Sequence, residues 1–405
     1  MTSYPGLGSP SIGFLQSTVW RAGLALTVVF VMLAMSGWTA IRNHRSDPDP
    51  VSAEQIAWSH GSLRGRHLPN PHGKPSTLRA FFARLGHPEQ QQLVRRFPLA
   101  VGNMGGAPVT LRYQANRLAL DRARAHQAQL THDPRLTPVG RQTAGRLMHR
   151  YESLESPGRQ ILAFDPANDG RAAEVFGDLD TADRVSVVVP GVDTNLMNFE
   201  KTARTTTAPA GMGRSLYDAE RSARPDAHTA VIAWADYTSP TGVGMEAATG
   251  ALAAAGSLRL DALVRSLPPS ARISLFCHSY GSVVCGVGAR NLPSNVDDIA
   301  VAGSPGMRAQ SARGLGTHAR VWAMRDSGDW IRDVPYMELG GIGHGADPVS
   351  GAFGARVLSA RGADGHAGYF APGTESLRNF ARVGVGDVSD VHCAASDQDC
   401  SADLA

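Results

Sequence analysis

A serine between two apolar runs is the first feature of the sequence with chemical meaning. Residues 272–277 (RISLFC) predict a buried strand that leads directly into His278, Ser279, Tyr280 and Gly281, and a helical pattern follows. At such a strand-to-helix turn a serine hydroxyl stands above the sheet, at the positive end of the next helix. Ser279 is therefore a candidate nucleophile for attack on an acyl carbonyl, although a lone Ser-x-Gly also fits a helix cap.

The loop after an earlier apolar run could stabilise the charge that such an attack creates. Residues 187–194 read VVVPGVDT, a buried strand that ends in a Pro-Gly turn. In serine hydrolases a loop at this place gives one N–H to the oxyanion, and the residue after the nucleophile gives the other. We expect these donors to be Val192 and Tyr280. Asp193 and Thr194 are candidates for lining the pocket, and an ordinary turn at a strand end is the alternative.

A carboxylate after a later strand could orient a general base. The apolar run 319–324 (ARVWAM) is followed by Asp326, Asp329 and Asp333. Asp329 is the preferred acid because it precedes a Trp-Ile pair that would anchor the loop, and a carboxylate there can reach back to a histidine. Asp326 is the second choice and Asp333 the third, and solvated loop acids are the alternative for all three.

The candidate base is His366, which lies in a glycine-flanked loop before the last predicted helix, and His344 is the alternative. The order Ser279, Asp329, His366, with separations of 50 and 37 residues, is that of hydrolases with a strand-turn-helix nucleophile. In that arrangement His366 takes the serine proton, and Asp329 holds the ring tautomer. The sequence therefore predicts attack of a serine on an acyl group.

The pattern around these residues predicts an α/β fold, in which a mostly parallel sheet is covered by helices. Most of the apolar runs lack alternation, as expected for strands buried on both faces. The predicted strands are 160–165, 172–177, 184–189, 229–235, 272–277, 298–303, 319–324 and 355–359. Helical patterns fill several gaps between them, at 196–222, 246–266, 280–290 and 374–383.

The chain divides into six predicted segments. They are an N-terminal tail at 1–21, an apolar segment at 22–41, a linker at 42–50, a helical segment at 51–156, an α/β domain at 157–385 and a polar C-terminal tail at 386–405. The helical segment could serve as a lid over the site or as a brace packed against the sheet.

The apolar segment at 22–41 contains twenty uncharged residues, about the length that crosses a bilayer as a helix. We expect a single-pass N-terminal membrane anchor with the α/β domain outside the cytoplasm. A cleaved signal peptide, which would release a secreted protein, is the alternative. Because arginines flank the segment on both sides, the cytoplasmic face is also open as a location.

Composition and charge exclude other classes of protein. With 405 residues, 42% of them hydrophobic and 19% charged, the chain is too apolar for a disordered or fibrous protein. The net charge of +3 hides a basic stretch at 42–150, which carries 17 lysines and arginines against 6 acids. Aromatic residues are not interleaved with these basic residues, so we expect no nucleic-acid partner.

The four cysteines fall into two pairs. Cys393 and Cys400 lie in the polar tail, where they could close a small disulfide loop and where the spacing fits no usual metal site. A bridge there would indicate an oxidising compartment. Cys277 and Cys285 lie inside apolar runs and are interpreted as small buried residues.

Five stretches of the predicted α/β domain carry a resemblance to a known family. They are 188–194 (VVPGVDT), 231–237 (VIAWADY), 278–282 (HSYGS), 302–307 (AGSPGM) and 365–370 (GHAGYF). In this order they resemble the actinobacterial α/β-hydrolase family known as a domain of unknown function. Residues upstream resemble the helical segment that often precedes this domain: Pro98, Gly102, Asn103, Gly106, Pro108, Arg112, Ala115, Asn116 and Arg117.

The resemblance implies a serine hydrolase whose triad is Ser279, Asp329 and His366, with no metal or organic cofactor. Asp236 and His278, which lie in two of the matching stretches, are further candidates for lining the pocket. This sequence departs from the family at residue 277, where a cysteine stands in place of the usual glycine.

The leading hypothesis is a serine hydrolase that cleaves an ester of a small molecule or a lipid through an acyl-enzyme. An acyltransferase would use the same triad and resolve the acyl-enzyme with a sugar or lipid hydroxyl. A membrane-tethered interaction protein that has lost activity is the third hypothesis. The spacing of the motifs does not indicate the acyl length or the oligomeric state.

Overall fold

A computed structural model of the chain describes residues 49–404. The strands are β1 Ser62–Leu63, β2 Arg66–His67, β3 Gln160–Asp165, β4 Arg171–Gly177, β5 Arg184–Val189, β6 Thr229–Ala235, β7 Arg272–His278, β8 Val296–Ala302, β9 Arg320–Met324, β10 Glu338–Leu339, β11 Ile342–Gly343 and β12 Arg356–Val357. The α-helices are α1 Pro50–Ser59, α2 Pro75–Ala83, α3 His87–Arg96, α4 Pro98–Gly102, α5 Val109–Leu130, α6 Pro138–Leu154, α7 Pro209–Ala223, α8 Met245–Ala248, α9 Ala251–Ser266, α10 Gly281–Gly288 and α11 Glu375–Val385.

An eight-stranded sheet in the order β12-β9-β8-β7-β5-β6-β4-β3 forms the centre of the α/β domain. The five pairings from β12 to β6 are parallel, and β4 and β3 are added antiparallel at the other edge. The predicted α/β fold with a mostly parallel sheet is confirmed. Because β7 is central, its carboxyl end is the place where a ligand can reach residues from several neighbouring loops.

Helices cover both faces of this sheet. On one face α9 and α10 pack over the apolar side chains of β5, β7 and β8. On the other face α7 and α11 do the same, through residues such as Leu216 and Phe380. Strands enclosed in this way are apolar on both faces, which explains the absence of alternation in the sequence.

The helical segment caps the edge strand β3. Three of its polar side chains reach main-chain groups of that strand: Asn103 Nδ2 donates to Phe164 O at 2.8 Å, and Arg112 Nη2 donates to Leu162 O at 2.9 Å. The third, Asn116 Nδ2, donates to the neighbouring carbonyl of β3, also at 2.9 Å. An edge strand exposes unpaired main-chain groups that invite aggregation, and these contacts satisfy several of them. The contacts favour the brace over the lid.

The C-terminal residues are packed against the sheet rather than extended from it. Val388, Val391 and Cys400 are buried in the cluster formed by α7 and α11 on their face of the sheet. The main chain of Cys393 forms an isolated β-bridge with Leu358, the residue that follows the edge strand β12. The side chain of Cys393 forms a disulfide with Cys400. The predicted polar tail thus supplies apolar side chains to the core, at positions where single hydrophobic residues stand among polar ones.

The predicted membrane segment at 22–41 lies outside the described residues. Within residues 49–404, no helix combines the length and the apolar character needed to span a bilayer.

A carboxyl group buried on the α7 face of the sheet predicts a pH-dependent stability. Glu220 is fully buried and accepts hydrogen bonds from Ser186 on β5 and Thr229 on β6. Burial outweighs these bonds and raises the pKa of Glu220 from 4.5 to about 7. The folded state therefore holds this proton more tightly than the unfolded state. The protonated Glu220 side chain therefore stabilises the fold fully below pH 4.5, and this contribution is lost as the pH rises to about 7.

Replacing Glu220 by glutamine should remove this dependence, because glutamine does not ionise. We expect the free energy of unfolding of the variant, measured relative to that of the wild type, to rise by roughly 3 kcal/mol from pH 4 to pH 8. Urea unfolding of both proteins at the two pH values measures the change in the difference between their free energies of unfolding. A difference that is the same at both pH values would contradict the assignment.

Candidate active site

Ser279 occupies a strained turn between β7 and α10. Its φ angle is +53°, a left-handed conformation that is uncommon for a residue other than glycine. Two residues later, position 281 must be a glycine, because a Cβ there would lie 2.2 Å from the carbonyl oxygen of Val189 on β5. Close packing of α10 against β5 thus forces the sharp turn that presents the Ser279 hydroxyl.

The three residues predicted to act together lie within hydrogen-bonding distance of one another. Ser279 Oγ is 2.9 Å from His366 Nε2, and His366 Nδ1 is 2.9 Å from Asp329 Oδ1. Ser279 follows β7, Asp329 lies five residues after the end of β9, and His366 lies in a turn beyond β12. The parallel arrangement of these strands brings their carboxyl ends to the same edge of the sheet.

Asp329 is held as an ionised acceptor. It is fully buried and accepts hydrogen bonds from the Ile331 N–H at 2.9 Å, from Tyr369 Oη–H at 2.5 Å and from His366. Burial raises the pKa of Asp329, but these hydrogen bonds outweigh the burial and lower it below its usual value. The ionised carboxylate holds the proton of His366 on Nδ1 and leaves Nε2 free to accept from Ser279.

The two other acids considered from the sequence have different surroundings. Asp326 Oδ2 accepts from the N–H groups of Gly328 at 2.9 Å and Gly365 at 3.2 Å, so it ties the Asp329 loop to the His366 loop. Asp333 has a largely exposed side chain. Asp329 is therefore the acid that contacts His366.

His344, the alternative base, does not contact Ser279 through a hydrogen bond. Its Nε2 lies 2.6 Å from the carbonyl oxygen of Ala247, and its ring packs edge-on against Tyr280. Burial lowers the pKa of His344, so the ring is neutral and its Nε2–H is the donor. His344 forms part of the wall beside the serine.

Two residues that support the site were given no such role from the sequence. Tyr369 Oη accepts from the Asp326 N–H at 3.0 Å while it donates to Asp329. His278 Nε2 lies 2.6 Å from the carbonyl oxygen of His366, and burial lowers the pKa of His278 to about 4. The neutral His278 ring therefore donates to the main chain of the base and fixes its loop. The sequence signal was their position within the motifs HSYGS and GHAGYF.

The predicted oxyanion donors lie beside the serine. A Cβ on Gly191 would come within 2.6 Å of Ser279 Cβ, so the Pro-Gly loop passes directly against the nucleophile. Within residues 49–404, neither the Val192 nor the Tyr280 main-chain N–H has a hydrogen-bond acceptor. Both N–H groups are thus free to donate to a ligand oxygen.

An apolar cleft of about 510 Å³ opens at Ser279. It is lined by Val192, Val243, Ala247, Ala248, Ser279, Tyr280, Pro305, Trp330, Ile331, Val334, Pro335, Met337, Leu339, Ile342, Gly343 and His344. Ser279 and His344 are the polar side chains of this lining, together with the hydroxyl of Tyr280 and the indole N–H of Trp330. Among the described residues, the helical segment contributes none to this lining, which again favours the brace over the lid.

All four of the predicted pocket residues lie outside this cleft, and one of them, His278, contacts the His366 loop instead. Asp193 turns away in a left-handed conformation, and its Oδ1 accepts from the Gly242 N–H at 2.7 Å. Thr194 is held by Ser239 through its main chain. Asp236 forms an ion pair with Arg259. Asp193 and Thr194 are thus held by the neighbouring loop at 239–242, and Asp236 is held by a side chain of α9, so none of the three lines the cleft beside Ser279.

A disulfide joins Cys277 and Cys285 across the turn that contains Ser279. The two residues are buried as expected, but the interpretation that they only fill space was wrong. Their Cα atoms are 6.6 Å apart because the first two turns of α10 pack over the end of β7. The cysteine that replaces the family's glycine is therefore accommodated by a covalent link to the helix.

Removal of this disulfide is expected to affect both stability and turnover. The Cys277→Ala/Cys285→Ala variant should lose about 2 to 3 kcal/mol of stability, because the bridge restricts a short loop of the unfolded chain. It should also lose turnover severalfold, since the turn of Ser279 is no longer tied at both ends.

The Cys393→Ala/Cys400→Ala variant is the matched control, because that bridge closes a loop of similar length away from the cleft. Urea unfolding and hydrolysis of p-nitrophenyl butyrate measure both effects. Equal turnover in the two variants would show that the first bridge does not position the serine.

Comparison of the sequence with known proteins identifies the family of the chain. The sequence profile of a family described as alpha/beta hydrolase matches residues 165–339. The uncharacterized protein Mb0988c of Mycobacterium bovis is 31% identical over 208 residues, which cover 48% of this chain and 76% of that protein. The chain belongs to the α/β-hydrolase family. The family predicted from the sequence is confirmed.

A second relative matches over a longer stretch. The uncharacterized protein Rv2079 of Mycobacterium tuberculosis is 25% identical over 437 aligned positions, which cover 93% of this chain. This α/β hydrolase spans 64% of the length of that relative. Among solved structures, XC6422 from Xanthomonas campestris, described as an α/β serine hydrolase without lid, aligns with a TM-score of 0.34 and 14% identity over 57% of this chain and 95% of its own.

Proposed function

We propose that this α/β hydrolase is a serine hydrolase that cleaves an ester with an apolar acyl group. The observation that carries the proposal is the continuous hydrogen-bonded chain from Ser279 through His366 to Asp329, with the serine at the floor of an apolar cleft. A nucleophile, a base and an orienting acid in this order are what acyl transfer to a serine requires.

The first half of the reaction forms an acyl-enzyme. His366 Nε2 accepts the Ser279 proton while Oγ bonds to the ester carbonyl carbon, and the carbonyl oxygen becomes an oxyanion. The Val192 and Tyr280 N–H groups donate to this oxygen, and each such donor contributes roughly 100-fold or more in rate. When the tetrahedral intermediate collapses, the ester bond to the alcohol breaks, and His366 returns its proton to the leaving oxygen.

The second half returns the free enzyme. Water gives a proton to His366 Nε2 and attacks the acyl carbon, and Ser279 Oγ then leaves and regains that proton. The charge that His366 carries in each step is stabilised by the buried Asp329 carboxylate. An alcohol that replaces water at this step would give the transferase reaction, and added butanol with product analysis separates the two reactions.

The cleft lining predicts a preference for longer acyl chains. Its side chains are mostly aliphatic, and a buried methylene contributes about 0.8 kcal/mol. We therefore expect the specificity constant, kcat/KM, to rise from p-nitrophenyl acetate to longer p-nitrophenyl esters. The Ala248→Phe variant, which narrows the cleft, should lose activity on the long esters while it retains activity on the acetate.

The matched control is Ala254→Phe, which adds the same side chain at an exposed position on α9. Flat chain-length dependence, or an equal loss with Ala248→Phe on all esters, would contradict the assignment of the cleft as the acyl site.

We also propose that the protein acts outside the cytoplasm, anchored through residues 22–41. The two disulfides support this location, because structural disulfides form in oxidising compartments. Thiol alkylation of the protein in intact cells tests it. Four unreactive cysteines agree with the proposal, and four reactive ones contradict it.

A further inference from the structure

Exposed apolar side chains gather at the mouth of the cleft. Among the residues that the structure describes, nine large apolar side chains are substantially exposed. Five of these nine line the cleft: Val243, Trp330, Met337, Leu339 and Ile342. A sixth, Met245, follows Val243 two positions later and is 42% exposed. We call these six residues the apolar rim. Soluble proteins rarely expose apolar groups in such a cluster unless the cluster has a partner.

A projecting hairpin carries part of the apolar rim. β10 and β11 are joined by Gly340 and Gly341, both with positive φ, and no atom lies within 4 Å of a Cβ placed on either glycine. Leu339 and Ile342 face each other across this tip, and Leu339 is 76% exposed. A bridge between Thr249 and Ile342 ties the hairpin to the segment that follows Met245. The two parts of the rim therefore form one surface.

The charges that border the apolar rim include no cluster of cations, and Glu246, an exposed carboxylate beside Met245, forms no ion pair among the described residues. Arg308 forms an ion pair with Glu338 at the base of the hairpin. Arg332 and Asp333 are adjacent and largely exposed. A surface that binds anionic lipids needs clustered cations, and the described residues place none beside the rim, which favours a lipid surface without net charge.

We propose that the apolar rim docks onto a zwitterionic lipid surface, from which the acyl chain of the substrate passes into the cleft. The inference rests on the proposed function, since it assigns the surface that delivers the ester to Ser279. The rim is continuous with the cleft, so a chain that leaves a lipid layer at the rim stays in contact with apolar side chains as far as the serine. This contact is separate from any anchoring by residues 22–41.

The cysteine content permits a direct test on the full chain. All four cysteines are paired in disulfides, so an introduced cysteine supplies a single reactive thiol. Met245→Cys places a fluorescent bimane label on the rim, outside the cleft lining. Leu258→Cys places the same label on α9, where the residue is 69% exposed and about 10 Å further along the helix from its start near the rim. Both variants carry Ser279→Ala, so no lipid is hydrolysed.

The labelled proteins are reconstituted in phosphatidylcholine vesicles that contain nitroxide on the lipid acyl chains. We expect loss of most of the emission at position 245 and little loss at position 258. The added substitutions Leu339→Glu and Ile342→Glu should restore the emission at 245, because charged groups at the tip oppose insertion. Aqueous iodide should quench the label at 258 and should fail to quench the label at 245.

Three results would overturn the proposal. One is equal quenching by lipid at both positions, and another is quenching at 245 that survives the two glutamates. The third is protection of position 245 from iodide without quenching by lipid, which would show that protein covers the rim. Labelling of Ser279 by a fluorophosphonate in the parent chain is scored separately, so failure of docking and failure of the proposed function can be told apart.

Discussion

Replacing His366 by alanine is expected to lower ester turnover by roughly 10⁴-fold or more. The structure gives the reason: His366 Nε2 is the group that contacts Ser279 Oγ, at 2.9 Å, and without it the hydroxyl has no base. Ser279→Ala should lose a similar factor, and the double variant should lose little more, because residues that act as a unit are not additive. Hydrolysis of p-nitrophenyl butyrate measures all three.

His126→Ala is the control for this prediction, since His126 is exposed on α5. It should retain full turnover. Thermal unfolding of each variant shows that loss of activity is not loss of fold. If His366→Ala retains even a tenth of the turnover, another base serves Ser279, and the assignment of His366 is wrong.

Replacing Asp329 by asparagine is expected to lower turnover by about 10⁴-fold at neutral pH. The carboxylate fixes the proton of His366 on Nδ1, whereas the amide group of asparagine can donate to Nδ1 and move that proton to Nε2. A protonated Nε2 in the neutral ring cannot accept from Ser279. The loss should appear mainly in kcat, because Asp329 is buried behind the histidine and does not line the cleft.

The comparison variant is Asp326→Asn. Asp326 accepts from the N–H groups of Gly328 and Gly365 and thus only ties the loops together. We expect this variant to lose less than about tenfold, since an asparagine oxygen can still accept those bonds. The prediction fails if Asp326→Asn is the more damaging of the two, because Asp326 would then be the acid of the site.

The sequence was informative wherever one local pattern determines the structure. Uninterrupted apolar runs predicted strands such as β5, β6 and β7 within a residue or two of their observed bounds, because strands buried on both faces leave no other pattern. The candidate nucleophile was found for a related reason. The turn of Ser279 requires glycine at 281, and that requirement is visible in the sequence.

The remaining features depend on contacts between distant parts of the chain. Tyr369 lies 40 residues from Asp329, and no spacing rule indicates that its hydroxyl joins Asp326 to Asp329. Asp193 and Asp236 stood in the expected loops, but their partners, Gly242 and Arg259, were not recognisable from the sequence. The sequence shows that a polar side chain in a loop needs a hydrogen-bond or ion-pair partner, but it does not show which residue supplies that partner.

Labelling of the full chain with a fluorophosphonate probe, followed by intact-mass analysis, tests the account's central claim most directly. The probe reacts with a serine hydroxyl only when a base has activated it. We predict one phosphonyl adduct on the wild type and on His126→Ala, and none on Ser279→Ala or His366→Ala. Absence of an adduct on folded wild-type protein, or an adduct that persists in Ser279→Ala, would contradict a nucleophilic role for Ser279.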